Sequence, residues 1–443
     1  MPVLFPFSMM TVLEPVADSW ATGRDCTAPT YGRFPLSFVR GSGCRLWDSE
    51  GRSYLDFGSG VAVCSLGHCP PVLVEALREQ AGTLIHCSNL YSNPWQSELA
   101  RRLTAEAAGK PGRVFFCNSG AEANECLIKL ARRFGQARPD AGGRARHVIL
   151  TFERSFHGRT MAGISATGQS KVQEGFAPLL PGFRHLPYND AGAVEAAITE
   201  DTAAVLMEVV QGEGGIHVAD PGFLLAVQDS CRRHDLLLLM DEIQCGFGRA
   251  GAIRAWEAVL DRGEDFAPDG ISWAKGLGGG FPLGAVWMSD RAWGPGGEAV
   301  SSLLGPGSHG TTYGGSPLAC AAGLAVTGEM IRGGAVENAR QQGAYMMGAL
   351  RGRPAPLVKE ARGLGMMIGV MLDTGAVRRV KGYPESGMSP AVFVVDRLNR
   401  SGLLTAPAGA DVVRLMPPLI LTREEAEEGL GILYSTLAEL GSA

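Results

Sequence analysis

From about residue 96 onward, short apolar runs alternate with helix-period segments, and this alternation restricts the fold more than any other feature. Residues 114–117, 147–152, 203–210 and 236–240 are apolar runs of strand length. Runs without a polar face read as strands covered on both sides. Between them, residues 121–134 place Ala123, Leu127, Leu130, Ala131 and Phe134 on one side of a helix. The segment after Asp220-Pro221 begins with an acidic N-cap and a proline at the first helical position. Such repetition predicts an α/β fold with a mostly parallel sheet, and ligands bound at the carboxyl ends of its strands.

The two ends of the chain read differently. Phe38-Val39-Arg40, Arg45-Leu46-Trp47 and Ser53-Tyr54-Leu55, separated by turns, predict a small antiparallel unit. Pro70-Pro71 opens a helix with Leu73, Ala76 and Leu77 on one face. Beyond about residue 340, strands return at 366–372 and 412–416 around a helix at 390–400. The last helix starts with a capping box, Thr422 and Glu425, and carries the stripe Leu430, Leu433, Leu437 and Leu440.

Composition narrows the partners. With 443 residues and 45% hydrophobic content the chain buries a large core. A net charge of −5 and no long block of like charge argue against a nucleic-acid partner. The 61 glycines are assigned to turns and cofactor loops. Ten cysteines without a CxxC pair read as small core residues, not as a zinc site. The apolar start lacks a basic region and carries two prolines, and Met9 or Met10 is an alternative start. No apolar run approaches the length of a membrane span, so no membrane partner and a cytoplasmic location are expected.

Several polar residues sit where this fold would put a site. Lys275 follows the apolar segment Gly270-Ile271-Ser272-Trp273 and heads the loop Gly276-Leu277-Gly278-Gly279-Gly280. A lysine with so little bulk around it suits a Schiff base to a flat aldehyde cofactor such as pyridoxal phosphate (PLP). Asp241-Glu242, ending the run 236–240, offers a carboxylate for the PLP pyridinium nitrogen. Asn118-Ser119-Gly120-Ala121 joins a strand to a helix and is either an anion site or a plain N-cap turn. Phe156 either lies against a flat cofactor or packs in the core, and Arg159 either holds a substrate carboxylate or makes a surface ion pair. His157 has no partners at metal spacing. Glu213, in a glycine loop, is a turn residue or a switchable partner for an arginine; Arg414 lies in an apolar strand and needs a carboxylate from protein or substrate. The loop 308–315 offers hydroxyls and amides for a phosphate, or is an ordinary surface loop. The GxGxxG match at 246–251 stands too far from its strand to read as a dinucleotide fingerprint.

In order along the chain, LWDSEGRSYLDFGSGVAVCSLGHCPP, NSGAEANE, SFHGRT, QGEGG, DEIQCGFGR, AKGLGGGFPLGA and GSHGTTYGGSPLACA resemble the class III aminotransferases. Within them the chain is most similar to the acetylornithine/succinylornithine group, and the resemblance spans residues 46–440. It implies a PLP-dependent transferase fold of type I, like aspartate aminotransferase. The expected regions are an N-terminal arm with part of a small domain (1–72), a large PLP-binding domain (73–340) and a C-terminal small domain (341–443). It implies that Lys275 carries PLP and moves the proton, and that Asp241 pairs with the ring nitrogen. Gly120, Ala121, Phe156, Glu242, Ile243 and Gln244 complete the cofactor site, with Thr312 reaching the phosphate in a neighbouring subunit of a homodimer with shared sites. Arg159 and Thr311 would contact the donor, and Glu213 would mask Arg414 until 2-oxoglutarate replaces it. The implied reaction moves the δ-amino group of N-acetylornithine to 2-oxoglutarate; succinylornithine, ornithine or 4-aminobutyrate are alternative donors. The alanine after Gly120 replaces a threonine of some relatives, and residues 261–265 read as a surface insertion.

Overall fold

A computed structural model describes residues 26–261, 264–294 and 296–442. Residues 1–25 of the expected N-terminal arm, which include the alternative starts Met9 and Met10, and Arg262-Gly263 of the insertion lie outside these described residues.

The chain builds a seven-stranded sheet whose order is Gly112–Cys117, Gly284–Ser289, Gly270–Trp273, Leu237–Asp241, Thr202–Met207, Val148–Phe152 and Phe183–Leu186. Gly284–Ser289 pairs antiparallel with both of its neighbours, and the remaining neighbours pair in parallel. Every residue of the strands at 148, 202, 237, 270 and 284 is buried. This is why their sequences lack a polar alternation: helices or loops cover both faces of the sheet. The helix Gly120–Ala137 packs one face through Ala123, Leu127, Leu130, Ala131 and Phe134, all fully buried. The helix Pro221–Arg233 has Asp220 at its N-cap, but the side chain makes no capping hydrogen bond. The Asp220 backbone N–H instead donates to Asn189 Oδ1 at 3.0 Å.

The N-terminal meander Phe38–Ser42, Arg45–Asp48 and Ser53–Asp56 takes Leu403–Leu404 as a fourth, parallel strand, so the two ends of the chain meet in one sheet. A second four-stranded sheet comprises Val358–Leu364, Met367–Leu372, Val412–Leu415 and Ala406–Ala408. The final helix, Arg423–Ser442, opens on the reciprocal capping pair, with Glu425 N–H donating to Thr422 Oγ1 at 3.2 Å and Thr422 N–H to Glu425 Oε2 at 3.0 Å. Leu430, Leu433 and Leu437 are buried, whereas Leu440, near the helix end, is only half-buried. Residue 340 lies inside the helix Ala335–Gly352, whose buried Ala339, Met346 and Met347 join the core formed by the C-terminal strands.

Six of the ten cysteines are buried and none is in a disulfide. Among the described residues, no helix is long and apolar enough to cross a membrane.

Candidate active site

Chain segments from five strands converge at one edge of the large sheet. The edge holds the carboxyl ends of Gly112–Cys117, Val148–Phe152, Thr202–Met207, Leu237–Asp241 and Gly270–Trp273. Just beyond those ends stand Ser119-Gly120, Phe156-His157, Glu208, Asp241 itself and Lys275. They line a cavity of about 380 Å³, closed on another side by Val63, Phe281, Pro282 and Leu283. A parallel sheet exposes its loops at this edge, so the convergence follows from topology.

Asp241 sits at the back of the cavity, 4% exposed. Its Oδ1 accepts the Ile243 N–H at 3.0 Å. Its Oδ2 accepts Asn124 Nδ2 at 2.7 Å and lies 2.8 Å from His157 Nδ1. With the carboxylate ionised, Nδ1 carries the proton and donates. Asn124 is held in turn by Ser272 Oγ, which donates to Asn124 Oδ1 at 2.7 Å, and donates itself to the His157 carbonyl at 3.0 Å. Three chain segments therefore fix one carboxylate. No local pattern marks Asn124, which lies within a helix, and His157 is bound to the same network.

Lys275 adopts a positive φ of 43° in a short helical turn. Such a conformation is strained for a side chain with a Cβ and persists where the surroundings impose it. The loop beyond is equally constrained: a Cβ at Gly278 would stand 2.0 Å from the Phe281 carbonyl oxygen. Burial lowers the Lys275 pKa and Arg414 adds to that, against the opposing charges of Glu213, Asp241 and Glu208. The result is a larger share of neutral amine, the form that attacks a carbonyl.

Glu213 and Arg414 form the second charged centre. Arg414 Nη1 donates to Glu213 Oε1 at 2.6 Å and Nη2 to Oε2 at 3.2 Å, a bidentate pair. Gln244 bridges it, donating through Nε2 to Glu213 Oε1 at 3.2 Å and accepting Arg414 Nη1 at 3.1 Å. Burial alone would raise the Glu213 pKa, but the Arg414 charge and hydrogen bonds, helped by Lys275 and Gln244, hold it down to about 2. Gly212 leaves room for this bridge, because a Cβ there would fall 1.7 Å from Gln244 Oε1 and displace it.

Phe156 and Ile243 both line the cavity, and the Arg159 guanidinium lies 5.6 Å from the Phe156 ring centroid. Arg159 is exposed and makes no salt bridge among the described residues. Gly120 and Ala121 open the helix Gly120–Ala137, with Ser119 Oγ accepting the Glu122 N–H at 3.2 Å. A Cβ at Gly120 would come within 2.9 Å of Ile243. Glu242 departs from the expected cofactor set. Its side chain does not line the cavity, since it points away from Asp241 and accepts the Ala255 N–H at 2.7 Å, and burial raises its pKa to about 8. Thr311 also stays outside the cavity wall, its Oγ1 accepting Asn118 Nδ2 at 3.2 Å. Thr312 is exposed on the surface of the single chain.

The donor set fits a flat phosphorylated pyridine aldehyde. It combines an amine of lowered pKa, a buried carboxylate oriented by three donors, the N-terminus of a helix and apolar walls, in a volume usual for a small-ligand site.

The class III aminotransferase family model matches residues 26–437, and the chain belongs to that family. It is 44% identical over 413 residues to an acetylornithine aminotransferase of Caldanaerobacter subterraneus subsp. tengcongensis, covering 93% of this chain and 97% of that protein. Among solved structures it resembles the N-acetylornithine aminotransferase of Stenotrophomonas maltophilia, with 35% identity, a TM-score of 0.73, and coverage of 92% of this chain and 97% of the other. An ornithine aminotransferase of Toxoplasma gondii superposes with a TM-score of 0.85 at 31% identity, covering 97% and 96%.

Proposed function

We propose that this enzyme transfers the δ-amino group of N2-acetyl-L-ornithine to 2-oxoglutarate, yielding N-acetyl-L-glutamate 5-semialdehyde and L-glutamate, with pyridoxal 5'-phosphate held in the cavity. One observation carries the reading: Glu213 lines the same cavity as Lys275 and Asp241 while covering Arg414, which lies behind it in a bidentate pair. A transaminase must admit two substrates in turn, and a carboxylate that covers an arginine lets one site accept both a long amino donor and a dicarboxylate. Relatives named acetylornithine aminotransferase support the choice of donor.

Bound here, PLP would supply an electron sink for the charge left when a C–H bond next to the amino group breaks. The chain's residues do the rest. Lys275 Nζ would anchor the cofactor and serve as the base that takes the proton from the donor carbon. Asp241, oriented by His157 and Asn124, would pair with the ring nitrogen and favour its protonated form. Phe156 and Ile243 would hold the ring, the amides of Gly120 and Ala121 would bind the phosphate, and Gln244 would be available to the ring's phenolic oxygen. Arg159, on the cavity wall, would take the donor's α-carboxylate through its planar fork, and Thr311, held behind the wall by Asn118, would contact the donor only after leaving that hydrogen bond. Glu213 then withdraws from Arg414 so that the guanidinium binds the distal carboxylate of 2-oxoglutarate.

The reading includes a homodimer in which the exposed Thr312 completes the partner's phosphate site, and a place in arginine biosynthesis in the cytoplasm. The likeness to ornithine aminotransferase favours ornithine as the second donor. The test is a product assay on purified protein with 2-oxoglutarate and each donor separately. Semialdehyde and glutamate formed fastest from N-acetylornithine support the proposal, and a preference for free ornithine or 4-aminobutyrate refutes the donor.

A further inference from the structure

Three carboxylates line the cavity. Asp241 is held by His157 and Asn124, and Glu213 by Arg414, but Glu208 makes no salt bridge among the described residues. Glu208 follows the strand Thr202–Met207 and is 6% exposed. Its backbone carbonyl accepts Tyr188 Oη at 2.7 Å, which pins the main chain, and its Oε2 accepts the Phe156 N–H at 3.1 Å. The Phe156 segment has left its strand four residues earlier, so this hydrogen bond ties it laterally to the sheet. It sets where the Phe156 ring stands and, three residues on, where Arg159 begins.

We propose that Glu208 is a positioning residue for the reaction, holding the Phe156 ring against the cofactor as a hydrogen-bond acceptor for the Phe156 amide and not as a charge. The inference rests on the reading of this cavity as a PLP site. Burial, reinforced by the nearby Asp241, pushes the Glu208 carboxyl well above the usual carboxylate range, against the Phe156 hydrogen bond and Lys275, and so favours its neutral form. Its carbonyl oxygen still serves the Phe156 N–H, which would otherwise be a buried donor without a partner.

The test compares Glu208→Ala and Glu208→Gln holoenzymes with wild type by PLP dissociation constant, visible circular dichroism of the bound cofactor and unfolding midpoint. Alanine is expected to weaken PLP binding by about tenfold or more and to reduce the dichroism per bound cofactor. Glutamine, a neutral acceptor of the same shape, is expected to recover both, and it carries the test by itself if the alanine variant does not fold. A glutamine variant with markedly weakened PLP binding and dichroism overturns the proposal, because the charge would then be what matters. Alanine with wild-type affinity and dichroism also overturns it. A wild-type protein that binds no PLP refutes the cofactor reading itself, and this inference with it.

Discussion

Replacing Glu213 by alanine removes the counter-ion of a guanidinium that is 2% exposed. The Glu213 pKa falls from an ordinary 4.5 to about 2 in the fold. At 1.36 kcal/mol per pH unit this corresponds to roughly 3 kcal/mol of net attraction for the ionised form. The side chain is 28% exposed, so water in the cavity screens the pair and that figure is an upper bound. Arg414 also keeps its bonds to Gln244 Oε1 at 3.1 Å and the Pro407 carbonyl at 3.2 Å. The expected cost to folding at pH 7 is therefore about 1–3 kcal/mol, below that of stripping a buried ion of every partner. The sign follows from the depressed pKa: the contribution is complete above about pH 4.5 and vanishes as pH falls towards 2. Denaturant unfolding of both proteins across this range should show their difference closing in that window. Catalytically, Arg414 is left open to a dicarboxylate. Single-turnover measurements of the two half-reactions should shift the ratio of second-order rate constants towards 2-oxoglutarate by about tenfold, the factor for 1.4 kcal/mol. An unchanged ratio, with a stability difference that does not depend on pH, would refute the reasoning.

Lys275→Ala should lose the cofactor's covalent anchor and a base contributing about 10²–10⁴-fold, which leaves no measurable turnover. Borohydride reduction followed by mass spectrometry of the site peptide checks the anchor, and normal turnover by the variant contradicts its role. Gly212→Ala forces Gln244 aside, since the new Cβ would stand 1.7 Å from Oε1. This should loosen the Glu213–Arg414 pair and reduce kcat/KM for both substrates, while a steady-state assay indistinguishable from wild type would count against it. His68, hydrogen-bonded to Asp56 at 2.8 Å, has its pKa raised to about 10, first by Asp56 and then by Cys64. A raised pKa gives stability that is fully present below about pH 6.5 and lost as pH rises towards 10. His68→Asn should therefore unfold earlier than wild type at pH 6, with the gap narrowing by pH 10; a constant gap refutes it.

The strands Val148–Phe152, Thr202–Met207 and Leu237–Asp241 were legible because they are buried throughout, so each reads as an uninterrupted apolar run; the partly exposed Phe183–Leu186 carries no such run and was not. The Glu213–Arg414 contact was legible for a different reason. A guanidinium in the apolar run Val412-Val413-Arg414-Leu415 demands a counter-charge, and Glu213 stood in a loop that such a fold brings to the same edge. The roles of Asn124, His157 and Glu208 were not legible. Each acts through a contact between segments far apart in sequence, and nothing local marks it. The helix Pro317–Arg332 gave no stripe to read because it is buried on most sides, with ten of its sixteen residues inaccessible. The left-handed backbone at Val61 and Ala62, which leads into Val63 of the cavity wall, has no sequence signature either. β-Branched residues rarely adopt it, so the surrounding structure must impose it. Glu242 shows the converse: adjacency to Asp241 suggested a shared role, but successive residues leaving a strand point to opposite sides.

The most direct test is the absorption spectrum of the purified protein, first alone, then with N-acetylornithine, then with 2-oxoglutarate. The account predicts a visible band from cofactor joined to Lys275, bleached by the donor and restored by the acceptor. No visible band, even after incubation with PLP, would contradict the assignment of Lys275 and the chemistry derived from it.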